Sequence, residues 1–382
     1  MDRKFLCAVL LMTALSGCSR IIEDVPPVDD NSANSRFDTV IDNSRYVFST
    51  FTEKEQEYYE LVKKAAENGE HGVIFPEKLE PEELKKLFMA VYYQEEHIFW
   101  LASYFEKPAA ASDRLRLFYR FEDRDLDAMR KEVRERVEEI FEKIDDDATD
   151  YEKMRVFHDE IVLGCTFGDD EESARTLYGA LVDGQAQCVG YSKAFDYLCS
   201  LADINCMTVM GYNTTGATHS WNIAELDGKW YHVDCTWDDP ILDPPDTEFD
   251  RHYYFLANDS DILGVTHMLD ERYYTWPACQ AEDNYYTREG LMLSVATDAE
   301  NVLSKQAVRK LSEDRKCIEV RFDDKRSYDV ANTLLFETGG MKNVLRYANA
   351  HSDKKVLETT YVRYLNPDEF IIHVEMIYAK ET

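Results

Sequence analysis

Three side chains in one stretch of this sequence have the types and the order of a thiol acyl-transfer site. Cys188 lies in Gly-Gln-Ala-Gln-Cys-Val-Gly-Tyr, His219 opens His-Ser-Trp-Asn, and Asp234 ends Trp-Tyr-His-Val-Asp. In such a site the thiolate attacks an amide carbonyl, the imidazole moves the proton, and the carboxylate orients the imidazole. Each residue alone is a weak signal, because a lone histidine or cysteine is usually structural. The hypothesis therefore depends on the elements that would bring all three together.

The first of these elements is a helix predicted to begin at or near Cys188. Gly184 interrupts regular structure just before it, and apolar residues then recur at helical spacing for roughly fourteen residues. The first turn of a helix carries a partial positive charge and unpaired N–H groups, which favour a thiolate and stabilise an oxyanion beside it. Cys199 falls on the expected buried face of the same helix. Position therefore favours Cys188 as the nucleophile.

The imidazole and the acid fall on two strands predicted to form a hairpin. Residues 217–226 and 229–237 are predicted strands, joined by Asp-Gly, the strongest short hairpin signal, and residues 207–211 form a third. A two-residue turn places His219 and Asp234 on one face as diagonal neighbours, about 7–8 Å apart at Cα. A slip of one residue would separate them. The expected register is Leu226 with Lys229, Trp221 with Asp234, and His219 with Thr236.

The composition indicates a folded and strongly acidic protein. The 382 residues include 75 acidic and 43 basic side chains, which gives a net charge of −32. Because such a surface repels phosphate backbones and anionic lipids, we do not expect nucleic-acid binding. Aromatic residues make up 13% of the chain, too many for a disordered acidic protein. The length allows two or more domains.

The N-terminus has the features of an export signal. Arg3 and Lys4 precede an apolar run at residues 5–15, which is too short to span a bilayer as a stable helix. The run ends in Leu-Ser-Gly-Cys, which resembles the bacterial lipobox. We therefore predict a signal peptide at residues 1–17, lipidation of Cys18, and an exported protein held at a bacterial membrane by its lipid anchor alone. The alternative is an ordinary secretory peptide with an incidental cysteine.

Four regions are predicted after the signal peptide. Residues 18–36 are polar and contain proline, as expected of a flexible tether. Residues 37–149 are predicted to form a mainly helical lobe, in which residues 115–121 are the one strand-like run. Residues 150–290 are predicted to form the core that carries the site. Residues 300–382 mix helix and strand patterns and are predicted to form a small α+β domain.

The cysteine count leaves the disulfide pattern open. Removing Cys7 and Cys18 leaves seven cysteines, so at least one thiol stays free or pairs between molecules. If Cys188 is the free one, the other six allow fifteen full pairings, or they are simply buried small hydrophobes. No CxxC or His/Cys cluster has zinc-site spacing. Asp238, Asp239, Asp243 and Asp246 lack the EF-hand pattern, which favours turn-forming aspartates. No metal or other cofactor is predicted.

The segments around these residues resemble the bacterial branch of the transglutaminase-like superfamily, which has a papain-like Cys-His-Asp core. The resemblance covers roughly residues 150–260. Its motifs are Tyr-Gly-Ala-Leu-Val from 178, Cys-Val-Gly-Tyr from 188, His-Ser-Trp-Asn from 219 and Trp-Tyr-His-Val-Asp-Cys-Thr-Trp-Asp-Asp-Pro from 230. It implies an α+β core in which a helix carrying the cysteine packs on an antiparallel sheet carrying the histidine and the acid. It also implies Cys188 as nucleophile, His219 as general base and acid, and Asp234 as orienting acid.

Other residues near these motifs are weaker candidates. Those considered for oxyanion stabilisation or substrate contact are Gln185, Gln187, Tyr178 and Trp221. For each of them the alternative is a loop or packing role. His158 and Asp159 lie on a helix predicted over residues 150–162, and we interpret them as a polar pair that braces the helix against a loop.

Two classes of function follow. The leading hypothesis is an exported, membrane-tethered thiol enzyme that acts on amide bonds of proteins or peptides through a thioester on Cys188. It would be a peptidase or amidase if water resolves the thioester, and a transglutaminase if an amine does. The alternative is a non-catalytic binding module on the same fold at the cell surface. Glycan removal from asparagine lacks an accompanying sugar-binding segment, and the sequence does not specify an oligomeric state.

Overall fold

The computed structural model describes residue 37 and residues 45–168, 172–239 and 251–379. The predicted signal peptide, the tether, the lipidation site and two of the four aspartates weighed as calcium ligands lie outside these residues. None of the helices in the described ranges combines the length and the apolar character that crossing a bilayer requires.

The region before residue 150 is mainly helical. Its helices are α1 (Arg45–Ser49), α2 (Glu53–Glu67), α3 (Pro81–Gln94) and α4 (Leu126–Phe141). The long helices begin where the sequence supplies end groups. The Thr52 hydroxyl accepts the N–H of Glu55 at the start of α2, and the Asp125 carboxylate accepts two N–H groups at the start of α4. Pro81 occupies the first turn of α3, where its missing N–H costs nothing.

This region contains two strands, and the expectation of a single strand-like run at residues 115–121 is wrong. Strand β1 (Gly72–Leu79) pairs with β2 (Ser112–Arg116) in an antiparallel ribbon. Pro76 lies inside β1, and a proline weakens a strand signal because it cannot donate to the ladder. A two-stranded ribbon tolerates it, because each strand has a free edge.

The central region forms an α+β core, which confirms the predicted fold class. Its helices are α5 (Asp150–Gly164), α6 (Cys188–Leu201), α7 (Cys235–Asp238), α8 (Asp259–Ile262) and α9 (Tyr285–Arg288). Its strands are β3 (Thr166–Phe167), β4 (Gln185–Ala186), β5 (Cys206–Asn213), β6 (Thr218–Leu226), β7 (Lys229–Val233), β8 (Phe255–Ala257) and β9 (His267–Leu269). The last five form an antiparallel sheet in the order β8-β7-β6-β5-β9, and α6 packs against β5 and β6.

The hairpin between β6 and β7 has the predicted register. Leu226 pairs with Lys229, and Asn222 pairs with Val233. The two turn residues have φ angles of 55° and 72°, the left-handed conformation that a tight hairpin turn of this kind requires. One part of the prediction is wrong, because β7 ends at Val233 and does not continue to residue 237. The chain turns into α7 there, since the Asp234 side chain caps that helix.

The chain ends in a second layered region. Its helices are α10 (Ala299–Ser312), α11 (Lys325–Phe336) and α12 (Gly340–His351), and its strands are β10 (Met292–Leu293), β11 (Cys317–Phe322), β12 (Val356–Asn366) and β13 (Ile371–Tyr378). The sheet order is β10-β11-β13-β12. Alternate residues of β11, among them Ile318 and Val320, pack with the helices in one apolar core. Contacts group Val40–Thr382 into one compact unit, and the domain borders predicted inside it stay predictions.

Gly211 on β5 lets two neighbouring strands close around the site. It pairs with His219 on one side and with Leu269 on the other. A Cβ at this position would collide with the carbonyl oxygen of Met268 and with the indole of Trp221. Glycine is therefore required here for close approach, so that β9 and Trp221 can both lie against β5.

Candidate active site

Cys188 lies at the start of a helix and is not fully buried. Gly184, with φ of 70°, ends the single π-helical turn Gly179–Asp183 and redirects the chain through β4 into α6. Cys188 is the first residue of α6, and Gln187 is its extended N-cap. Cys188 is half-buried, whereas the other six cysteines of the described residues are buried. Its position exposes it to the unpaired N–H groups and the positive end of a fourteen-residue helix.

Asp234 and His219 form a buried ion pair across the hairpin. The Nε2–H of His219 donates to Oδ2 of Asp234 at 2.6 Å. The other carboxylate oxygen, Oδ1, accepts the backbone N–H groups of Thr236 and Trp237 at 2.9 and 3.1 Å. Burial by itself would raise the pKa of Asp234, but the charge of His219 and hydrogen bonds from His219 and His267 hold that pKa well below its ordinary value. The carboxylate therefore stays ionised.

The other ring nitrogen of His219 is the one available to the Cys188 thiol. Burial opposes a charged imidazole, but the charge of Asp234 and hydrogen bonds to Asp234 and Cys188 outweigh it and raise the pKa of His219 to about 10. Because Nε2 is taken by Asp234, Nδ1 is the nitrogen that faces the sulfur. His219 is therefore a protonated, oriented ring close to Cys188 at neutral pH.

His267 is a site residue that sequence reasoning missed. Its Nε2–H donates to Oδ2 of Asp234 at 2.9 Å, the same oxygen that His219 contacts, and its Nδ1 lies 2.8 Å from the Thr266 hydroxyl. The ring is fully buried and packs 4.7 Å from the Trp237 ring. His267 lies on the three-residue strand β9, which is too short to show a periodic pattern. No sequence signal connects it with the acid.

Trp221 packs against the ring of His219 and does not line an open channel. The indole has no exposed surface and stacks on the His219 ring at 5.8 Å, with an interplanar angle of 20°. Its N–H donates to Nδ1 of His232 at 3.0 Å, and Nε2–H of His232 donates to Asp259 at 3.0 Å. The expected substrate contact is wrong for this residue, because packing against the imidazole encloses it completely.

The remaining candidates have structural partners. The Tyr178 hydroxyl donates to Glu132 and accepts from Arg124, which binds it to α4 and to the segment just before α4. The side chain of Gln185 lies directly against Gly168. Gln187 uses its backbone carbonyl to accept two N–H groups of the first turn of α6, and its side chain does not cap the helix. Oxyanion roles for the two glutamines stay predictions.

Three sets of described residues bring metal-binding atom types within 4.8 Å of one another: His158, Asp159 and His252; His219, Asp234 and His267; and His232, Asp259 and Cys279. In each set an imidazole N–H donates directly to the carboxylate, so hydrogen bonds account for the short distances within each set. The absence of a required metal stays a prediction.

The comparison with protein families concerns this same segment. The family model for the transglutaminase-like superfamily matches residues 136–235. The chain is 28% identical over 159 residues to kyphoscoliosis peptidase of Homo sapiens, covering 36% of this chain and 24% of the relative. It is 32% identical over 88 residues to the Mus musculus protein of the same name, covering 19% and 13%. The chain therefore spans about a quarter or less of these relatives.

Solved structures show only a distant likeness. A candidate cysteine protease from Cytophaga hutchinsonii shares 16% identity over 27% of this chain and 37% of that chain, with a TM-score of 0.25. A structure described as a TGase shares 14% identity over 43% and 50% of the two chains, also with a TM-score of 0.25. We draw nothing from either likeness.

The first expected outcome concerns the donor that His267 supplies to Asp234. Replacing His267→Phe keeps a ring in the packing but leaves the ionised Asp234 short of one hydrogen bond. A bond to a charged group contributes roughly 1.5–3 kcal/mol, and we expect a loss of that size in the free energy of unfolding, measured in urea at pH 7. His351→Phe, at an exposed helix end, is the matched control. Equal losses in the two variants would contradict the role.

The second expected outcome is the pH dependence of the His219–Asp234 pair. The pKa of His219 is raised from about 6.5 to about 10, so its stabilisation is full below pH 6.5 and is lost as pH rises towards 10. The pKa of Asp234 is lowered, so its part is lost only in strong acid. The unfolding free energy of wild type should exceed that of His219→Ala by roughly 3–5 kcal/mol at pH 6.5. Urea titrations at several pH values should show this gap closing towards pH 10, and a constant gap would contradict the assignment.

Proposed function

Because residues 136–235 belong to the transglutaminase-like superfamily, we propose that this protein is a thiol enzyme that attacks amide bonds of proteins or peptides through Cys188. The observation that carries the proposal is the His219 ring, held by buried Asp234 on one nitrogen and close to the half-buried Cys188. A structural cysteine needs neither solvent access nor an oriented imidazolium. A nucleophile needs both.

The reaction follows from the positions of these groups. In the resting site the protonated His219 holds the Cys188 thiolate as an ion pair through Nδ1–H. The thiolate attacks the amide carbonyl, and the first-turn N–H groups of α6 that do not bond the Gln187 carbonyl stabilise the oxyanion. As the C–N bond breaks, Nδ1–H protonates the leaving amine, and a thioester remains on Cys188. Asp234 stays ionised throughout and keeps Nδ1 aimed at the sulfur.

The thioester is resolved by a second nucleophile, whose proton returns to Nδ1 of His219. Water gives a carboxylic acid and makes the protein a peptidase or amidase, whereas a primary amine gives a new amide and makes it a transglutaminase. The curated relatives are named peptidases. That name favours water as the acceptor in this chain as well.

We also propose that the enzyme works outside the cytoplasm. The Leu-Ser-Gly-Cys sequence that ends at Cys18 supports lipid anchoring, and the tether that follows would hold the folded part away from the bilayer. In a bacterial host, Cys18→Ser should move the protein out of the membrane fraction, whereas Cys7→Ser should leave it there. Retention of the Cys18→Ser protein in the membrane fraction would refute the anchor.

The thiol chemistry has its own test. Under limiting iodoacetamide at pH 7, followed by peptide mapping, Cys188 should label at least about tenfold faster than Cys199 or Cys317. His219→Ala should remove this difference. With a casein-type substrate, release of fragments identifies hydrolysis, and incorporation of a fluorescent primary amine identifies transfer. The Cys188→Ala protein should do neither.

A negative result would also be informative. If Cys188 of the folded protein labels no faster than the buried cysteines and forms no acyl adduct, the protein is a binding module on an enzyme fold. An acyl adduct at Cys188, detected by mass, would instead identify the donor substrate.

A further inference from the structure

A line of buried acids and histidines runs from the active site to the C-terminal sheet. Its members, which we call the acid–histidine chain, are Asp238, His158, Asp159, His252 and Glu319. Each has at most 4% of its surface exposed. Charged groups are rarely buried unless they are paired, so a row of five needs a structural or functional reason.

Each member of the acid–histidine chain contacts the next through a ring nitrogen and a carboxylate oxygen. Asp238 Oδ2 lies 3.2 Å from His158 Nε2, and His158 Nδ1 lies 3.2 Å from Asp159 Oδ1. The same Asp159 oxygen lies 2.8 Å from His252 Nε2, and His252 Nδ1 lies 2.6 Å from Glu319 Oε1. Both nitrogens of both rings are therefore engaged by carboxylates, and neither ring can turn without losing two contacts.

At the site end, Asp238 fixes the backbone of the orienting acid. The N–H of Asp238 donates to the Asp234 carbonyl at 3.1 Å, which closes α7. The N–H of Asp234 donates to the Tyr254 carbonyl at 3.1 Å, and the N–H of Tyr254 donates to the Asp238 carboxylate at 3.0 Å. Asp234 is thus held at its N–H and at its carbonyl by groups that both depend on Asp238.

At the other end, Glu319 is anchored by three elements of the C-terminal half. It lies on the face of β11 opposite the apolar core that includes Ile318 and Val320. Its Oε2 accepts the hydroxyl of Tyr286 in α9 at 2.7 Å. Its backbone N–H donates to the side chain of Gln306 in α10 at 2.8 Å. Glu319 is therefore a fixed point from which the acid–histidine chain extends.

Charge attraction holds the members of the acid–histidine chain in place. Burial opposes a charged His252, but the charges of Asp159 and Glu319 outweigh it and raise the pKa of His252 to about 10. Burial would also raise the pKa of Glu319, which the charge of His252 instead holds well below its ordinary value. Removing one member leaves its neighbour buried with one charged partner fewer, which is unfavourable.

We propose that Glu319 is a positioning residue for Asp234, so that the C-terminal sheet helps to hold the active site in its working geometry. The proposal rests on the proposed thiol chemistry. Glu319 touches neither substrate nor Cys188, and it acts only through the acid–histidine chain. The expected consequence of its loss is a displaced Asp234, and hence a His219 ring that is less firmly charged and less well aimed at the thiol.

The test compares three variants of the full chain. Glu319→Ala removes the acceptor, Glu319→Gln keeps an acceptor oxygen without charge, and Val344→Ala creates a cavity in the C-terminal core without touching any member of the acid–histidine chain. The first readout is the iodoacetamide labelling rate of Cys188 at pH 7. The second is the titration midpoint of His219, followed by NMR on protein with isotope-labelled histidine. A merely structural role would move neither readout in folded protein.

We expect Glu319→Ala to label Cys188 about 10- to 100-fold more slowly, as is typical when an outer partner of a site is lost. Glu319→Gln should be slower than wild type by about threefold, because a neutral acceptor binds a charged ring roughly half as strongly. Both should lower the His219 midpoint, and Val344→Ala should change melting temperature alone. If Glu319→Ala does not fold, Glu319→Gln decides the question.

The proposal is overturned if folded Glu319→Gln keeps the wild-type rate and midpoint, or if Val344→Ala changes them equally. Its failure is distinct from failure of the thiol chemistry. If only the positioning role of Glu319 fails, wild-type Cys188 still labels fast and the Glu319 variants label equally fast. If the thiol chemistry fails, Cys188 labels slowly in the wild-type protein itself.

Discussion

One buried carboxylate, that of Asp234, is the constraint on which the site depends. It accepts four N–H groups: two from the backbone of the helix it caps, and one each from His219 and His267. With so many donors the carboxylate remains ionised in a low-dielectric environment, where an unpaired charge would be very costly. The same four bonds end β7, begin α7 and orient the imidazole. Folding and chemistry therefore impose the same requirement on this residue.

The proposed nucleophile, Cys188, has a different kind of environment. Cys188 gains its environment from the start of a helix, and the acid and imidazole gain theirs from a hairpin that packs against that helix. In the proposed mechanism the helix dipole, the oriented ring and the buried acid each stabilise the charges of the reaction, so this stabilisation is distributed over three elements. Cys188 is half-buried, whereas Trp221, which packs against the His219 ring, is fully enclosed.

The parts predicted correctly from sequence are those specified by neighbouring residues. The Asp-Gly turn determines how Asn222 pairs with Val233, and Gly184 with the apolar spacing after it determines where α6 begins. The failures involve partners far along the chain. His267 lies on a strand that is too short to show an alternating pattern, and Pro76 interrupts the strand-like pattern of the sequence in β1. A local pattern predicts which face of a helix or strand is buried, but it does not predict which distant residue that face contacts.

The extent of the family match sharpens this distinction. The match ends at residue 235, directly after the orienting acid. His267, Asp238, His252 and Glu319, which hold that acid directly or at a distance, all lie beyond it. The proposed reacting groups can therefore be recognised from a short family pattern, whereas their rigidity depends in part on residues outside it. Because a misplacement of 1 Å can cost about 10²-fold in rate, we expect regions beyond the match to affect the proposed chemistry as well as the stability.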